Sequence, residues 1–170
     1  MSTLIFAKTR EGARIPTKRH EDAGRDIYAC FDEDYIMIRP FETRLISTGI
    51  ATSFSSKYYA QLQERGSTGS LGIKYGAGVI DSCYRGEWFV PLTNVNPIPV
   101  IIAKKEFLNE NPDYILKEIH DLPIVYPYEK AIAQFVMIEV PEFDEVEISY
   151  EQLLSYESAR GTGSLGSSGK

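Results

Sequence analysis

The sequence predicts an all-β protein, built as a barrel or a sandwich. Short apolar or alternating runs recur along the chain between turn residues, and no window before residue 104 has convincing helical periodicity. With 170 residues, of which 43% are hydrophobic, the chain is long enough for one domain with a sizeable core.

The strands follow from the runs themselves. Residues 57–64 alternate, with Tyr58, Ala60 and Leu62 on one face, which is typical of a half-buried strand. Residues 131–140 are apolar on both faces apart from Gln134. We also predict strands at residues 4–8, 35–39, 43–47, 49–53, 87–94 and 100–103.

Two segments depart from the strand pattern. Residues 104–123 are the most helix-like part of the chain, with Tyr114, Leu116, Ile119 and Leu122 spaced for one apolar face. Residues 156–170 are rich in Gly and Ser, which indicates a flexible tail. We therefore expect a domain over residues 1–155 followed by this tail.

Composition limits the function classes. A net charge of -6 argues against a surface that binds nucleic acid duplexes, which needs a basic face. No apolar stretch approaches the length of a membrane span, and the N-terminus lacks the layout of a signal peptide, so we expect a cytoplasmic protein. Cys30 and Cys83 form neither a metal pattern nor a disulfide framework.

Residues 78–86, Gly-Val-Ile-Asp-Ser-Cys-Tyr-Arg-Gly, form the first candidate site. We predict a β-hairpin here, whose glycines leave the backbone open to a flat ligand because no Cβ blocks the approach. A carboxylate held beside such a backbone, Asp81, is a candidate general base. The alternative is an ordinary hairpin with a surface Asp.

A second set of residues suits phosphate. Arg65 directly follows the strand at 57–64 and opens a Gly- and Ser-rich loop, where a planar guanidinium, hydroxyls and exposed N–H groups could bind phosphate oxygens. The tail offers similar chemistry around Arg160. Gln134 has either a ligand or a backbone group as its partner, since an unpaired buried amide is costly. Asp26 lies at the mouth of a strand or in a plain turn.

Five segments in order resemble the five motifs of the trimeric dUTPases: Asp-Ala-Gly-Arg-Asp, Arg-Gly-Ser-Thr-Gly, the segment at 78–86, Ala-Ile-Ala-Gln-Phe and the Gly/Ser-rich tail. The resemblance implies a jelly-roll-like β-barrel subunit in a homotrimer, with active sites shared between subunits. It also implies hydrolysis of dUTP to dUMP and pyrophosphate with Mg²⁺, which limits uracil in DNA and supplies dUMP for thymidylate synthesis.

The resemblance also assigns roles to individual residues. Asp81 matches the base that activates water, and Tyr84 matches the aromatic that packs under the deoxyribose. Asp26 matches an acid near Mg²⁺ that acts through bound water. The backbone of Gly78, Val79 and Ile80 matches the uracil-reading edge; the remaining substrate-binding matches are Arg65, Gly66, Ser67, Gln134, Arg160, Leu165, Gly166, Ser167 and Ser168.

Four residues depart from the family pattern. Gly66 stands where the family usually has a phosphate-binding Ser, and Cys83 where many members have an acid or Gly. Ala131 replaces the usual Arg of the fourth motif. Leu165 replaces the Phe that stacks over uracil, which predicts weaker closure of the tail.

Residues near 103–126 resemble an insertion between the third and fourth motifs. We favour a surface elaboration over a docking site for a protein partner. The alternatives for the whole chain are a dCTP deaminase-related or bifunctional enzyme, and a dUTP-binding regulator that acts through the insertion. The Asp at 81, with Tyr three residues later, favours the hydrolase.

Overall fold

The computed structural model describes residues 3–111 and 122–163, which fold as two compact units. The first unit ends at Val140 and the second begins at Pro141. None of the described helices is both long and apolar enough to cross a membrane.

Among the residues that the structure describes, the first unit is all-β apart from two short helices. Its helices are α1 (Gly66–Gly69) and α2 (Lys105–Glu110). Its strands are β1 (Ile5–Lys8), β2 (Arg25–Ile27), β3 (Tyr35–Ile38), β4 (Thr43–Ser47), β5 (Ile50–Ser53), β6 (Tyr58–Gln63), β7 (Ile73–Tyr75), β8 (Val79–Ile80), β9 (Phe89–Asn94), β10 (Val100–Ala103), β11 (Ile124–Pro127) and β12 (Ala133–Glu139).

Within the described ranges, the strands pair in four groups: β1 with β5, β11–β10–β3, β2–β12–β6–β8 and β4–β9–β7. Every pairing is antiparallel except β10 with β11. The neighbours in each group are often far apart in sequence, as in the jelly-roll-like barrel that the sequence predicted.

The largest of three hydrophobic clusters among the described residues forms the main core of this barrel. Trp88 and Phe135 are fully buried and meet edge to face, with ring centroids 5.1 Å apart. Phe6 also meets Phe135 edge to face, with ring centroids 6.4 Å apart. Along β6, Ala60 and Leu62 are buried and the other four residues, Tyr58 among them, are half-buried, which confirms the predicted half-buried strand.

The predicted hairpin at 78–86 is wrong as a paired hairpin. β8 pairs with β6, and the Tyr84 N–H donates to the Asp81 carbonyl to close a turn. The chain then leaves the sheet, because the Trp88 N–H donates to the Ile50 carbonyl at 2.8 Å. The segment is therefore one short strand and a turn, followed by a return to a different sheet.

The helix-like segment is described only in part. α2 covers 105–110, and Phe107 stacks near Tyr35 with ring centroids 5.1 Å apart. Leu122 lies outside any described helix and is 70% exposed, so the predicted apolar face does not extend to it. The other residues of that face, Tyr114, Leu116 and Ile119, lie outside the described residues.

The second unit contains α3 (Tyr150–Leu154), which begins with a capping box. The Ser149 hydroxyl accepts from the Gln152 N–H, and the Gln152 side chain accepts from the Ser149 N–H. Large apolar side chains in this unit are exposed, among them Phe143, Val146, Tyr150, Leu153, Leu154 and Tyr156.

Candidate active site

Strand register brings the predicted phosphate-binding residues together. Asp26 on β2 faces Gln134 on β12, and Gln134 faces Gln63 on β6, two residues before Arg65. The result is an open cleft of about 880 Å³, lined by Thr17, Lys18, Arg19, Asp22, Ala23, Gly24, Asp26, Arg65, Gly66, Ser67, Gln134 and Val136. We call this the phosphate cleft.

Arg65 is fixed in the cleft by several acceptors. Its Nε donates to Asp26 Oδ1 at 2.9 Å and its Nη2 to Asp26 Oδ2 at 3.3 Å, a two-point ion pair. Nη1 donates to the Ser67 hydroxyl at 3.2 Å and to the Ala131 carbonyl at 3.3 Å. The guanidinium is 29% exposed, so a positive charge is held in place while it remains open to solvent.

Gln134 has a protein partner. Its Nε2 donates to the Glu64 carbonyl at 2.7 Å, as the backbone-bonded alternative requires. Its Oε1 lies where a side chain on Gly24 would stand, only 2.2 Å from an ideal Cβ position. Gly24 is therefore needed for close approach of the amide, and a phosphate contact by Gln134 stays a prediction.

The sequence assigned no site residue to the basic loop that forms one wall of the cleft. Lys18 Nζ donates to the carbonyls of Arg19, His20 and Asp22, the shortest at 2.6 Å. Arg19 pairs with the Asp22 carboxylate at 2.8 Å, and its hydrogen bond holds the pKa of that carboxyl below its usual range. The run Lys18-Arg19-His20, directly before the first motif, is the signal that could have found this loop.

The Asp81 segment lines a second, smaller cavity of about 280 Å³, formed by Val79, Ile80, Asp81, Tyr84, Glu87, Trp88 and Phe89. We call it the nucleoside pocket. Among the described residues, no donor lies within hydrogen-bond distance of the Asp81 carboxylate, so its oxygens are open to water. The Tyr84 hydroxyl donates to the Glu87 carbonyl at 3.0 Å. Gly78 joins this segment to β6 through its carbonyl, which accepts the Leu62 N–H at 2.7 Å.

Glu87 is a further site residue that sequence reasoning missed. Its carboxylate accepts hydrogen bonds from Ser47, Thr9 and the Gly49 N–H, and lies 3.6 Å from Arg10 Nε. Burial raises the pKa of Glu87, but these donors and the Arg10 charge together outweigh burial and lower it. Unlike the Asp81 carboxylate, the Glu87 carboxylate already accepts hydrogen bonds from other protein groups.

The two cavities are apart within one chain. Val79 pairs with Gln61 and Ile80 pairs with Ala60, where the strand ends, and continuing this register by one residue would put Asp81 opposite Tyr59. Arg65 lies six residues beyond that level, which at about 3.3 Å per residue of strand puts the two backbones roughly 20 Å apart.

Arg160, in the second unit, bonds within its own turn. Its Nε donates to the Gly163 carbonyl at 3.0 Å, and its N–H to the Ser158 hydroxyl at 3.3 Å. The remaining tail residues assigned to substrate binding lie outside the described residues: Leu165, Gly166, Ser167 and Ser168.

Of the departures from the family pattern, the structure explains the one at Ala131 but not the one at Gly66. An added Cβ at Gly66 would meet nothing within 4 Å, so the missing Ser is not a steric requirement. Ala131 is buried and contributes its carbonyl, which accepts from Arg65 and from the Tyr126 hydroxyl at 2.6 Å. Cys83 is an exposed free thiol, and nothing in the structure explains it.

The cleft fits a Mg²⁺ ion that arrives with phosphates. Among the described residues, no group of three or more acidic, His or Cys side chains could hold a metal alone. Mg²⁺ usually keeps several waters and takes one or two carboxylates plus substrate phosphates. Asp26, whose side chain is one-third exposed in the cleft, would be such a carboxylate.

Comparison with known proteins places this geometry in a family. A family model described as dUTPase matches residues 10–107. The deoxyuridine 5'-triphosphate nucleotidohydrolase of Hydrogenobaculum sp. is 41% identical over 110 residues, 61% of this chain and 73% of that protein. The Staphylococcus bacteriophage 80alpha dUTPase with dUpNHpp is 25% identical, with a TM-score of 0.70 over 99% of both chains.

A mutant dUTPase from phage phi11 of S. aureus, described with a structural Mg(II) ion, is 25% identical. Its TM-score is 0.61, over 87% of this chain and 99% of that one. The family model alone covers more than half of the sequence and includes Asp26, Arg65 and Asp81. The chain belongs to the dUTPase family.

Proposed function

We propose that this chain hydrolyses dUTP to dUMP and pyrophosphate, with active sites shared between the subunits of a homotrimer. The observation that carries the proposal is the pair of complementary half-sites: a nucleoside pocket with an open carboxylate, and a cleft with a fixed guanidinium. Family membership supplies the reaction.

In the reaction, Asp81 accepts a proton from a water molecule as that water attacks the α-phosphorus of dUTP. A new P–O bond forms to the water oxygen, the bond from the α-phosphorus to the bridging oxygen breaks, and pyrophosphate leaves. Arg65, held by Asp26, stabilises the charge on the phosphate oxygens without having to reorganise. Tyr84 packs under the deoxyribose, and the backbone of residues 78–80 reads the uracil edge.

Mg²⁺, when bound to the triphosphate, would neutralise part of its charge, and Asp26 would hold it through a bound water. Arg65 pairs with the same Asp26 carboxylate, so the guanidinium and the Mg²⁺ ion would both act on the phosphates of one substrate. Arg160 and the tail would close over the γ-phosphate, usually in a neighbouring subunit's site.

Two observations support sharing between subunits. Asp81 and Arg65 are too far apart along β6 for both to reach the phosphates of one nucleotide in the same chain. In addition, the second unit exposes a run of large apolar side chains that a partner surface would cover. A homotrimer in which each site combines residues from neighbours would satisfy both.

The described part of the proposed insertion favours a surface elaboration. Phe107 and Leu108 of α2 pack on Ile101 and Ala103 of the adjacent strand β10. A chain lacking residues 104–123 that stays trimeric and active would support this role. Loss of the trimer would contradict it, and loss of binding to another protein alone would favour the docking alternative.

The substrate test measures pyrophosphate release from dUTP, dTTP, dCTP and UTP with Mg²⁺. We expect turnover of dUTP alone and a fall of at least about 10²-fold in Asp81→Asn, the scale of general-base catalysis. Equal turnover of dTTP, or an undiminished Asp81→Asn variant, would overturn the assignment. Release of ammonia from dCTP would favour the deaminase alternative.

The sharing test mixes two inactive variants. Asp81→Asn loses the base and Arg65→Gln loses the phosphate cation, and a mixed trimer would contain some sites with both residues intact. We expect co-refolded mixtures to regain part of the activity that either pure variant lacks. Mixtures as inactive as the pure variants would contradict shared sites while leaving the substrate assignment intact.

A further inference from the structure

Two carboxylates that line the nucleoside pocket differ in the hydrogen-bond donors around them. Asp81 has no hydrogen-bond donor among the described residues, whereas both oxygens of Glu87 are occupied. Glu87 Oε1 accepts from the Ser47 hydroxyl and, at 3.1 Å, from the Gly49 N–H. Oε2 accepts from Thr9 at 3.1 Å and faces the Arg10 guanidinium.

These donors come from separate parts of the barrel. Thr9 follows β1, Ser47 ends β4, and Gly49 lies in the turn between β4 and β5. The Glu87 side chain is only 16% exposed, so its carboxylate is a partly buried link between three chain segments. Charge-assisted hydrogen bonds of this kind are stronger than neutral ones, and several together fix the position of the residue.

The fixed residue in turn supports Tyr84. The Glu87 carbonyl accepts the Tyr84 hydroxyl at 3.0 Å. The ring lies directly over Gly86, where an added Cβ would stand 2.4 Å from the hydroxyl oxygen and 2.6 Å from Cζ. Tyr84 itself is 44% exposed, so these two neighbours, rather than burial, set the position of its ring.

We infer that Glu87 is a positioning residue that holds Tyr84 in place and thereby sets the preference for deoxyribose over ribose. The inference rests on the proposed function, in which Tyr84 packs under the sugar. Glu87 takes no part in the proton transfer, because its oxygens already accept hydrogen bonds from the protein.

The test compares kcat/KM for dUTP and UTP in Glu87→Ala. We expect the ratio between the two substrates to fall about tenfold, which corresponds to about 1.4 kcal/mol. Glu87→Gln, which keeps one acceptor oxygen, should retain part of the ratio. A ratio is the chosen measurement because a loss of folded protein lowers both rates equally.

Glu42→Ala is the matched control. The Glu42 carboxylate also accepts a backbone N–H, from Arg39 at 2.7 Å, but it lines neither the nucleoside pocket nor the phosphate cleft. We expect this variant to keep the ratio of the unmodified chain. A fall in the ratio as large as that of Glu87→Ala would overturn the specific role of Glu87.

Tyr84→Phe keeps the test decisive if Glu87→Ala does not fold. It removes only the hydroxyl bond to the Glu87 carbonyl and should lower the same ratio. In the Tyr84→Phe background, Glu87→Gln should change the dUTP-to-UTP ratio less than about twofold, because both variants weaken the same support of the Tyr84 ring. Independent, multiplicative effects would contradict the inference.

A second measurement does not depend on turnover. Trp88, the single tryptophan of the chain, lines the same pocket, so its fluorescence can report titration with dUMP and with UMP. Glu87→Ala should weaken the preference for dUMP about tenfold. If the unmodified chain does not turn over dUTP, the proposed function itself is overturned. If the unmodified chain turns over dUTP normally and Glu87→Ala keeps the same sugar preference, only the role of Glu87 is overturned.

Discussion

Gly24→Ala should break a hydrogen bond on the floor of the phosphate cleft. An ideal Cβ at Gly24 would lie 2.2 Å from Gln134 Oε1, and since ordinary contact begins at about 3.4 Å the amide must retreat by about 1.2 Å. A retreat of that size cannot preserve the 2.7 Å hydrogen bond from Gln134 to the Glu64 carbonyl. The backbone at Gly24 itself tolerates alanine, because its φ is not in the left-handed region.

The change in the free energy of unfolding expected for Gly24→Ala is the sum of two opposing contributions. Losing the hydrogen bond costs about 1 kcal/mol, while replacing glycine restricts the unfolded chain and returns roughly 0.4–1 kcal/mol. The single variant alone can therefore show a small net change in the free energy of unfolding. In a Gln134→Ala background the obstructing amide is absent, so Gly24→Ala should be neutral or stabilising. The coupling between the two changes should be about 1 kcal/mol or more.

Urea unfolding, followed by Trp88 fluorescence, measures the four free energies of the cycle. Protein concentration is held constant, because association shifts the apparent stability. Gly76→Ala is the matched control, since an added Cβ there would lie 3.8 Å from the nearest heavy atom, and no coupling to Gln134 is expected. Free energies that add within about 0.5 kcal/mol for Gly24→Ala and Gln134→Ala would refute the reasoning.

Three further predictions concern the two half-sites. Arg65→Lys should raise KM for dUTP at least about tenfold, because an ammonium cannot reproduce the two-point pair with Asp26; an unchanged KM would contradict a phosphate role. Gly86→Ala should displace the Tyr84 ring and lower the dUTP-to-UTP ratio, whereas an unaltered ratio would show that the ring tolerates the added methyl. The lowered pKa of Glu87 means that its stabilising effect is present above its ordinary value of 4.5 and lost as pH falls through the folded-state value. The Tm difference between the unmodified chain and Glu87→Gln should therefore shrink as the pH is lowered from 4.5, and a difference that grows there would have the wrong sign.

The pH prediction depends on the groups around Glu87. Arg10 faces its carboxylate at 3.6 Å, and Arg10 also pairs with Asp32 at 3.5 Å on the exposed side. Because Asp32 is almost fully exposed, its own pairing contributes little to stability. Arg10→Gln should consequently reduce the pH-dependent stabilisation by Glu87, and thermal unfolding of that variant across pH 3–7 measures it.

Local pattern alone predicted most of the strands and the half-buried face of β6, because apolar alternation reports burial directly. It could not predict that Asp26, Gln134 and Arg65 meet in one cleft. Their meeting depends on the pairing of β2 with β12 and of β12 with β6, which joins residues far apart in sequence. Only the order of five motifs, through resemblance to a family, placed these residues in one site.

The errors have physical causes. The segment at 78–86 has glycines at both ends, as a hairpin does, but the hydrogen bond of Trp88 to Ile50 draws the returning chain to another sheet. Glu87 was missed because a single acid beside an aromatic run carries no local signal. Its importance comes from Thr9, Ser47 and Gly49, which are distant in sequence and reach it only in the fold.

The strand β6 links these findings. Its middle pairs with β8, which leads to Asp81, and its far end lies two residues before Arg65, so one strand separates the proposed base from the proposed phosphate cation by roughly 20 Å. The separation is fixed by backbone pairing on both sides of β6, and no side-chain rotation can close it. If Asp81 and Arg65 act on one triphosphate as proposed, a second chain would have to bring its phosphate cleft to the nucleoside pocket of the first. For this protein, assembly of subunits would therefore be a condition of catalysis and not only of stability.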